Sequence, residues 1–552
     1  MSSQAVRVAL AIAVSLSVLG ASAPGLAGPS APQRGGIVRF GTAFEPARLN
    51  PTLYPSPADR QVTELVYNRL LKPDYNMRLV TDLAESYEIS PDKLVITFKL
   101  RRGVRWHDGT PFTARDVAFT FRSLAHPNYA GGQVAFASAI RGARAYRERR
   151  ASDVEGIRVL DDHTIQFTLE EVHGPALANF THPIIPAHIL GPVDPAQWDR
   201  HPTNVDRPVG TGPFKIVRVA VQQFVELEAN PDYFGGRPNI DRFIWVLGDE
   251  AALLSSLLAG RIDAMAVPVT EARTVRNQRQ LDIKEMKANT FFYMGFNMAH
   301  PLFRQKRVRQ AFAHAIDRDE ICRSALQGYC QVVQVPMAAP MWSFNPDAKG
   351  YAYDPPRARR ILEELGWQVN PSTGIREKDG QRLQFEMVYS TPIMATYAPL
   401  IQQDLRAVGI GIDLVRLDWP TMVATKLLPR TGGQPRAPTA QELQTWLLFR
   451  ALLLEPLGEL HYGCDQQPPK GFNFTQYCNR QVDRLLKMQL GTMDLSERAA
   501  IYKRIMAILA DDIPWIPLYS SVDLYGYNRR LQNFEPGVNG VTQNVTQWWI
   551  RR

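Results

Sequence analysis

The sequence predicts an α/β protein of mixed sheets flanked by helices, and three observations carry that expectation. Asp92–Phe121 (DKLVITFKLRRGVRWHDGTPFTARDVAFTF) sets a strand, a tight turn and a capped helix in one short stretch. The segment from Tyr353 to Gly409 alternates helix, strand and helix signals, as a mostly parallel, wound α/β unit does. The length of 552 residues, with 45% hydrophobic and 21% charged content, suffices for two or three domain cores.

Taken in order, the chain opens with Arg7, an apolar run from Val8 to Leu19 and the small residues Ala21, Ser22, Ala23 and Ala27. That order reads as a cleaved signal peptide over residues 1–27. The run is too short to cross roughly 30 Å of hydrocarbon, so an exported protein is expected. No cysteine precedes Cys322, so no lipid anchor is expected. In the opening motif Leu94, Ile96, Phe98 and Leu100 alternate with Val95, Thr97 and Lys99, the period of a strand with one buried face. Asp108-Gly109 makes a turn. Thr113 stands as N-cap with Asp116 three residues on, and Val117, Phe121 and Leu124 continue an apolar helical face.

Arg141–Arg150 (RGARAYRERR) concentrates arginines, read as a solvated helix face rather than a nucleic-acid site, because the net charge of +9 is otherwise dispersed. Gly210-Thr211-Gly212-Pro213-Phe214 turns into two strands; with a strand after the proline, no helix N-terminus is there to receive a phosphate. Leu253, Leu254, Leu257 and Leu258 form a helix ending at Gly260. Phe291–Glu320 joins a strand to a helix whose face is Val308, Ala311, Phe312, Ala315 and Ile316, with Asp317 and Glu320 capping the next. Beyond it come a connection (Gln331–Pro340), a helix over Ala358–Leu365, the strand Leu383–Ser390 and a helix from Ala398 to Val408. Arg430–Pro438 is a Gly/Pro-rich loop, and no solenoid repeat occurs.

The four cysteines fall in two close pairs, Cys322 with Cys330 and Cys464 with Cys478. In an exported chain disulfides are the expectation. The competing reading is zinc on His461, Cys464 and Cys478, which lacks a fourth ligand at finger-like spacing. No metal or other cofactor is expected. Nor is an enzyme: G-x-S-x-G, H-E-x-x-H and P-loop patterns are missing, and the ten histidines are scattered. A secreted hydrolase is kept only as a distant alternative.

Leu83-Ala84-Glu85-Ser86 together with Asp92–Phe121 closely resembles the signature region of the family 5 extracellular solute-binding proteins, receptors for dipeptides, oligopeptides, nickel complexes and some sugars that feed ABC importers. Gly210–Phe214, Phe291–Glu320, Ile412–Met422, Asn473–Leu486 and Pro514–Tyr519 resemble later parts of the same family. The resemblance implies a two-lobed periplasmic-binding-protein fold, type II, of the large class with an extra subdomain. It places lobe I at 35–290 with the subdomain near 70–200, lobe II at 291–515, and a C-terminal return to lobe I over 516–552. It implies a periplasmic monomer that captures a peptide or peptide-like solute and delivers it to an inner-membrane ABC permease, with no nucleic-acid partner. The alternative is a periplasmic chaperone or sensor that keeps the fold without transport.

For the site, the resemblance nominates Tyr54, Ser56, Gln133, Phe292, Tyr293, Thr391 and Lys426 as ligand contacts. Peptide receptors of the family carry a tryptophan followed three residues later by an aspartate that pairs with the peptide α-ammonium. Here Trp446 is followed by Phe449, with Arg450 beside it and Glu455-Pro456 further on. Trp446, Phe449, Arg450 and Glu455 are therefore added, with Arg450 and Lys426 suited to a carboxylate-bearing ligand and Glu455 as a substitute acid.

Overall fold

The structure is a computed structural model that describes residues 32–552 except 54, 55, 453 and 457. The signal peptide expected over 1–27 and the nominated Tyr54 lie outside the described residues. Among those residues no helix is long and apolar enough to cross a membrane.

Eleven strands form one mixed sheet that runs through both lobes. In chain order they are β1 (Ile37–Thr42), β2 (Phe214–Ala220), β3 (Phe224–Ala229), β4 (Arg242–Leu247), β5 (Ala264–Ala266), β6 (Leu281–Phe296), β7 (Cys330–Val332), β8 (Gln384–Tyr389), β9 (Gly411–Arg416), β10 (Thr445–Ala451) and β11 (Trp515–Asn528). Across the sheet the order is β9-β8-β10-β6-β11-β5-β1-β4-β3-β2, with β7 added on β11. Only β6 and β11 are long, at 16 and 14 residues, and they make the passage between lobes as an antiparallel pair. Their register runs from Leu281↔Asn528 to Lys287↔Val522, breaks, and resumes at Phe291↔Ser520. A bulge of this kind bends a strand and re-aims its side chains. Here it lies at the waist of the molecule.

Beyond the bulge, alternation sends side chains to two cores. Phe292, Met294 and Phe296 pack with Phe312, Ile401 and Leu405 of the helices Lys306–Ala315 and Pro392–Ala407. Phe291, Tyr293, Trp446 and Leu448 pack on the opposite face with Leu485, Leu486, Ile505 and Leu509 of the helices Arg480–Leu490 and Leu495–Asp512. On the other side of the waist, β1 and β4 pack on Val62, Leu65 and Val66 of the helix Pro57–Val66. A separate four-stranded antiparallel sheet (84–89, 95–100, 164–168, 157–161) carries its own core, in which Ile96, Phe98 and Leu100 meet Val117, Phe121 and Leu124. The helix over Ala114–Leu124 has the Thr113/Asp116 capping box, the Thr113 N–H donating to the Asp116 carboxylate at 2.9 Å.

Two elements differ from the sequence reading. The helix expected from Ala398 starts at Pro392, because Pro392 supplies the favourable first-turn proline and Pro399 is accommodated inside the helix. The connection after the first cysteine pair is partly strand: Cys330–Val332 pairs with Ser521–Tyr519, and Val333, Val335 and Met337 are buried. Both cysteine pairs are joined, Cys322 to Cys330 and Cys464 to Cys478, with Cα separations of 5.7 and 4.5 Å.

Candidate functional site

A cavity of about 380 Å³ lies between the lobes, within the size range of small-molecule sites. One wall is Pro51, Arg60, Thr63 and Glu64 of the first helix and the loop before it, Arg69 and Met77, and Gln133, Asn179 and His182 of the subdomain. From the other lobe, Leu452, Leu454 and Glu455 close it. The backbone places Leu452 there: beyond the end of β10, its N–H donates to the Asn289 carbonyl at 2.7 Å, at the bulge where the long strands change lobe.

The charged side chains on these walls are mostly paired with each other. Glu64 accepts from Arg69 at 3.0 Å and faces Arg60 at 3.6 Å. Glu455 meets Arg498, whose side chain is 3% exposed, through both carboxylate oxygens. Arg498 also donates to Gln489 and to the Gly174 carbonyl at 3.3 Å, and stacks on Trp342. Through this arginine a wall of the cavity is tied to the contact between subdomain and second lobe. Gly174 donates to the Leu490 carbonyl at 2.6 Å and approaches so closely that a Cβ there would lie 2.5 Å from the Gln489 carbonyl oxygen. Only glycine fits that approach.

His182 is buried on the cavity wall, its Nε2 without a hydrogen-bond partner among the described residues, against the Phe136 ring at 4.9 Å. Burial, reinforced by the Arg69 charge, holds its pKa down to about 3 from the usual 6.5. His461 is held to about 3 chiefly by burial, and His107 to about 4 for the same first reason. Each folded-state pKa lies below the unfolded one, so the unfolded chain takes up protons first on acidification. Stability from these groups is complete above about pH 6.5 and is lost as pH falls, down to about 4 for His107 and about 3 for His182 and His461, at about 1.4 kcal/mol per pH unit for each proton. We expect the urea midpoint to fall between about pH 7.5 and about pH 4.5, and His182→Gln to flatten part of that fall. An identical slope in the variant would contradict the assignment.

Of the nominated residues that are described, the structure brings only Gln133 and Glu455 to this cavity. Ser56 is spent on the first helix: its hydroxyl accepts from the Asp59 N–H at 3.2 Å, and the Asp59 carboxylate accepts the Ser56 N–H at 2.7 Å. Phe292 stacks on Tyr519 at 4.6 Å in the core, beside the Phe449 ring, which is 41% exposed. Tyr293 is fully buried and stacks on Trp515 at 4.1 Å. Trp446 is a core residue, covering Gly295 so tightly that a Cβ there would lie 2.3 Å from its ring. Lys426 is not free for a carboxylate ligand, since its Nζ pairs with Glu386 at 2.5 Å. Thr391 occupies the N-cap of the helix Pro392–Ala407 with its Oγ1 buried and without a hydrogen-bond partner among the described residues. Phe449 and Arg450, adjacent on a strand, point to opposite faces of the sheet, so they do not share one site. Arg450 turns inward, 5.9 Å above the Phe474 ring.

Arg60, Glu64, Arg69, His182 and Arg498 were not nominated. Arg60, Thr63 and Glu64 recur three and four residues apart, opposite the buried Val62, Leu65 and Val66, and that polar stripe was the available signal.

Residues 78–437 match the family described as bacterial extracellular solute-binding proteins, family 5. The chain belongs to that family. It is 28% identical over 528 residues to the oligopeptide-binding protein AppA of Bacillus subtilis, covering 94% of this chain and 93% of the relative. A putative ABC transporter peptide-binding protein of Brucella ovis is 32% identical, over 83% of this chain and 81% of its own. The solved structure of Bacillus subtilis AppA in complex with a nonapeptide superposes with a TM-score of 0.75 at 27% identity, covering 95% of this chain and 100% of that one.

Proposed function

We propose that the chain is the solute receptor of an ABC importer, acting outside the cytoplasm, in the periplasm and without a lipid anchor, and handing its ligand to a membrane permease without catalysing a reaction. Residues 35–290 with 516–552 act as one lobe, 291–515 as the other, and the segment near 70–200 as the added subdomain. The observation that carries this reading is the cavity whose walls come from both lobes and meet at the bulge in the two long strands. Hinge closure buries a solute there, and the closed form is the one the permease recognises.

The solute is peptide-like but is not held by an ammonium–carboxylate pair. Trp446 is buried in the core, so the aromatic position belongs to Phe449, and three residues beyond it stands Leu452, an apolar wall residue. Whether counted from Trp446 or from Phe449, the acid's place is apolar. Glu455 does not replace it, because Arg498 already takes both of its oxygens. Amide and imidazole groups of Gln133, Asn179, His182 and Asn539 then supply the polar contacts, over the apolar floor of Leu452 and Leu454.

Isothermal titration with unmodified and N-acetylated di- and tripeptides tests this. The free peptides should gain nothing from their α-ammonium, binding no more tightly than the acetylated ones. A free peptide bound at least about tenfold more tightly, with the advantage lost in Glu455→Ala, would show that Glu455 holds the ammonium after all.

A further inference from the structure

Behind the strand that leads to the cavity, on the face of β6, β10 and β11 turned toward the helices Arg480–Leu490 and Leu495–Asp512, hydrogen-bond donors outnumber acceptors. Tyr293 of β6 lies opposite Leu448 of β10, so Trp446 and Arg450, two residues to either side of Leu448, flank it on the same face. Diagonal neighbours of this kind are about 7–8 Å apart at the backbone, within reach of long and aromatic side chains. Trp515 of β11, opposite Gly295, flanks Tyr293 from the other side. His461 and Tyr462 of the turn of helix Glu459–Tyr462 complete the surround, with the Tyr462 and Trp515 rings 5.1 Å apart.

Six of these side chains hold buried polar atoms with no well-aligned partner among the described residues: the Tyr293 and Tyr462 hydroxyls, the Trp446 and Trp515 Nε1, His461 Nδ1, and Nε and Nη2 of Arg450, with the Tyr293 oxygen as the acceptor that Trp446 and Arg450 approach. Tyr293, Trp446 and Tyr462 are completely buried. Indole and guanidinium nitrogens only donate, and a phenol donates one proton. The guanidinium is a permanent cation, yet no carboxylate pairs with it among the described residues. Nearby acids are engaged elsewhere: Glu455 by Arg498, Asp483 by Lys487 and the Cys464 N–H, Asp512 by Tyr477 and Asn479. Arg450 as a whole is half-buried, with Nε and Nη2 withdrawn from solvent; a cation so placed without a counter-charge is costly, and buried donors are ordinarily satisfied.

We propose that Arg450, Tyr293, Tyr462 and the indole N–H groups of Trp446 and Trp515 form a binding site for one small monovalent anion inside the second lobe, separate from the solute cavity. The close ring packing, 4.1 Å between Tyr293 and Trp515, favours an ion of halide size over a group of the transported solute. The site does not depend on which solute is carried.

Crystals of the mature chain soaked in sodium bromide, with anomalous data at the bromine edge, test the site directly. A bromide peak in contact with the Arg450 guanidinium is expected. In solution the unfolding temperature should rise saturably when chloride replaces gluconate at constant ionic strength. Arg450→Met should lose that dependence, and Tyr293→Phe should raise the half-saturating chloride concentration about tenfold by removing one donor. If Arg450→Met does not fold, the wild-type bromide map and the Tyr293→Phe titration still decide. No bromide at Arg450, or identical unfolding in chloride and gluconate for the wild type, overturns the proposal.

Discussion

Replacing Arg498 with methionine is expected to cost about 2–3 kcal/mol of folding stability. Its side chain is 3% exposed and holds Glu455, Gln489 and the Gly174 carbonyl together, so its removal strands three acceptors at one point. Breaking a buried pair from one side typically costs about 3–5 kcal/mol. Glu455 is 28% exposed and recovers some hydration, which lowers the expectation. The same change removes the Arg498 bond to the Gly174 carbonyl and leaves the Gly174 N–H on Leu490 as the remaining backbone tie, which loosens the contact between subdomain and second lobe. Urea unfolding measures the first effect, and hydrogen exchange at Gly174 and its neighbours the second. A loss below about 0.5 kcal/mol would show that the network contributes no more than an ordinary surface pair.

The second large effect is at Trp446, where the resemblance pointed to ligand contact and the structure shows a core residue. Trp446→Ala should destabilise by about 3–5 kcal/mol, the cost of emptying a large aromatic site. The ring is completely buried and rests on the bare backbone of Gly295, so neighbouring side chains cannot easily close the space. At a temperature where the variant stays folded, solute affinity should change little. Unchanged stability with affinity reduced about a hundredfold would restore Trp446 to the binding site.

Sequence pattern and structure agree where the information is local. The Thr113/Asp116 capping box, the alternation through Phe98 and the face of Val308 and Phe312 depend on residues within a few positions of each other, and all are present. The cysteine pairs likewise close short loops. The site is less legible because its contacts are long-range. Glu455 is neutralised by Arg498 and Lys426 by Glu386, partners 43 and 40 positions away that no local spacing reveals. Alternation alone does separate Phe449 from Arg450, but which face looks toward the cavity is decided by the bulge between Lys287 and Phe291 and by the packing of the last two long helices. The proline inside the helix Pro392–Ala407 misled in a different way, since a proline within a helix and one that starts it carry the same local signal.

Capture of a solute in the interlobe cavity is the central claim, and native mass spectrometry of protein purified without unfolding tests it most directly. Leu452→Arg, which drives a long charged side chain into the cavity wall, serves as the blocked form. The wild type should carry an excess mass that is released on denaturation and fragments as a peptide or peptide-like compound, while Leu452→Arg, shown to be folded by circular dichroism, should carry none. The same excess mass on both proteins would place the solute elsewhere and contradict the account.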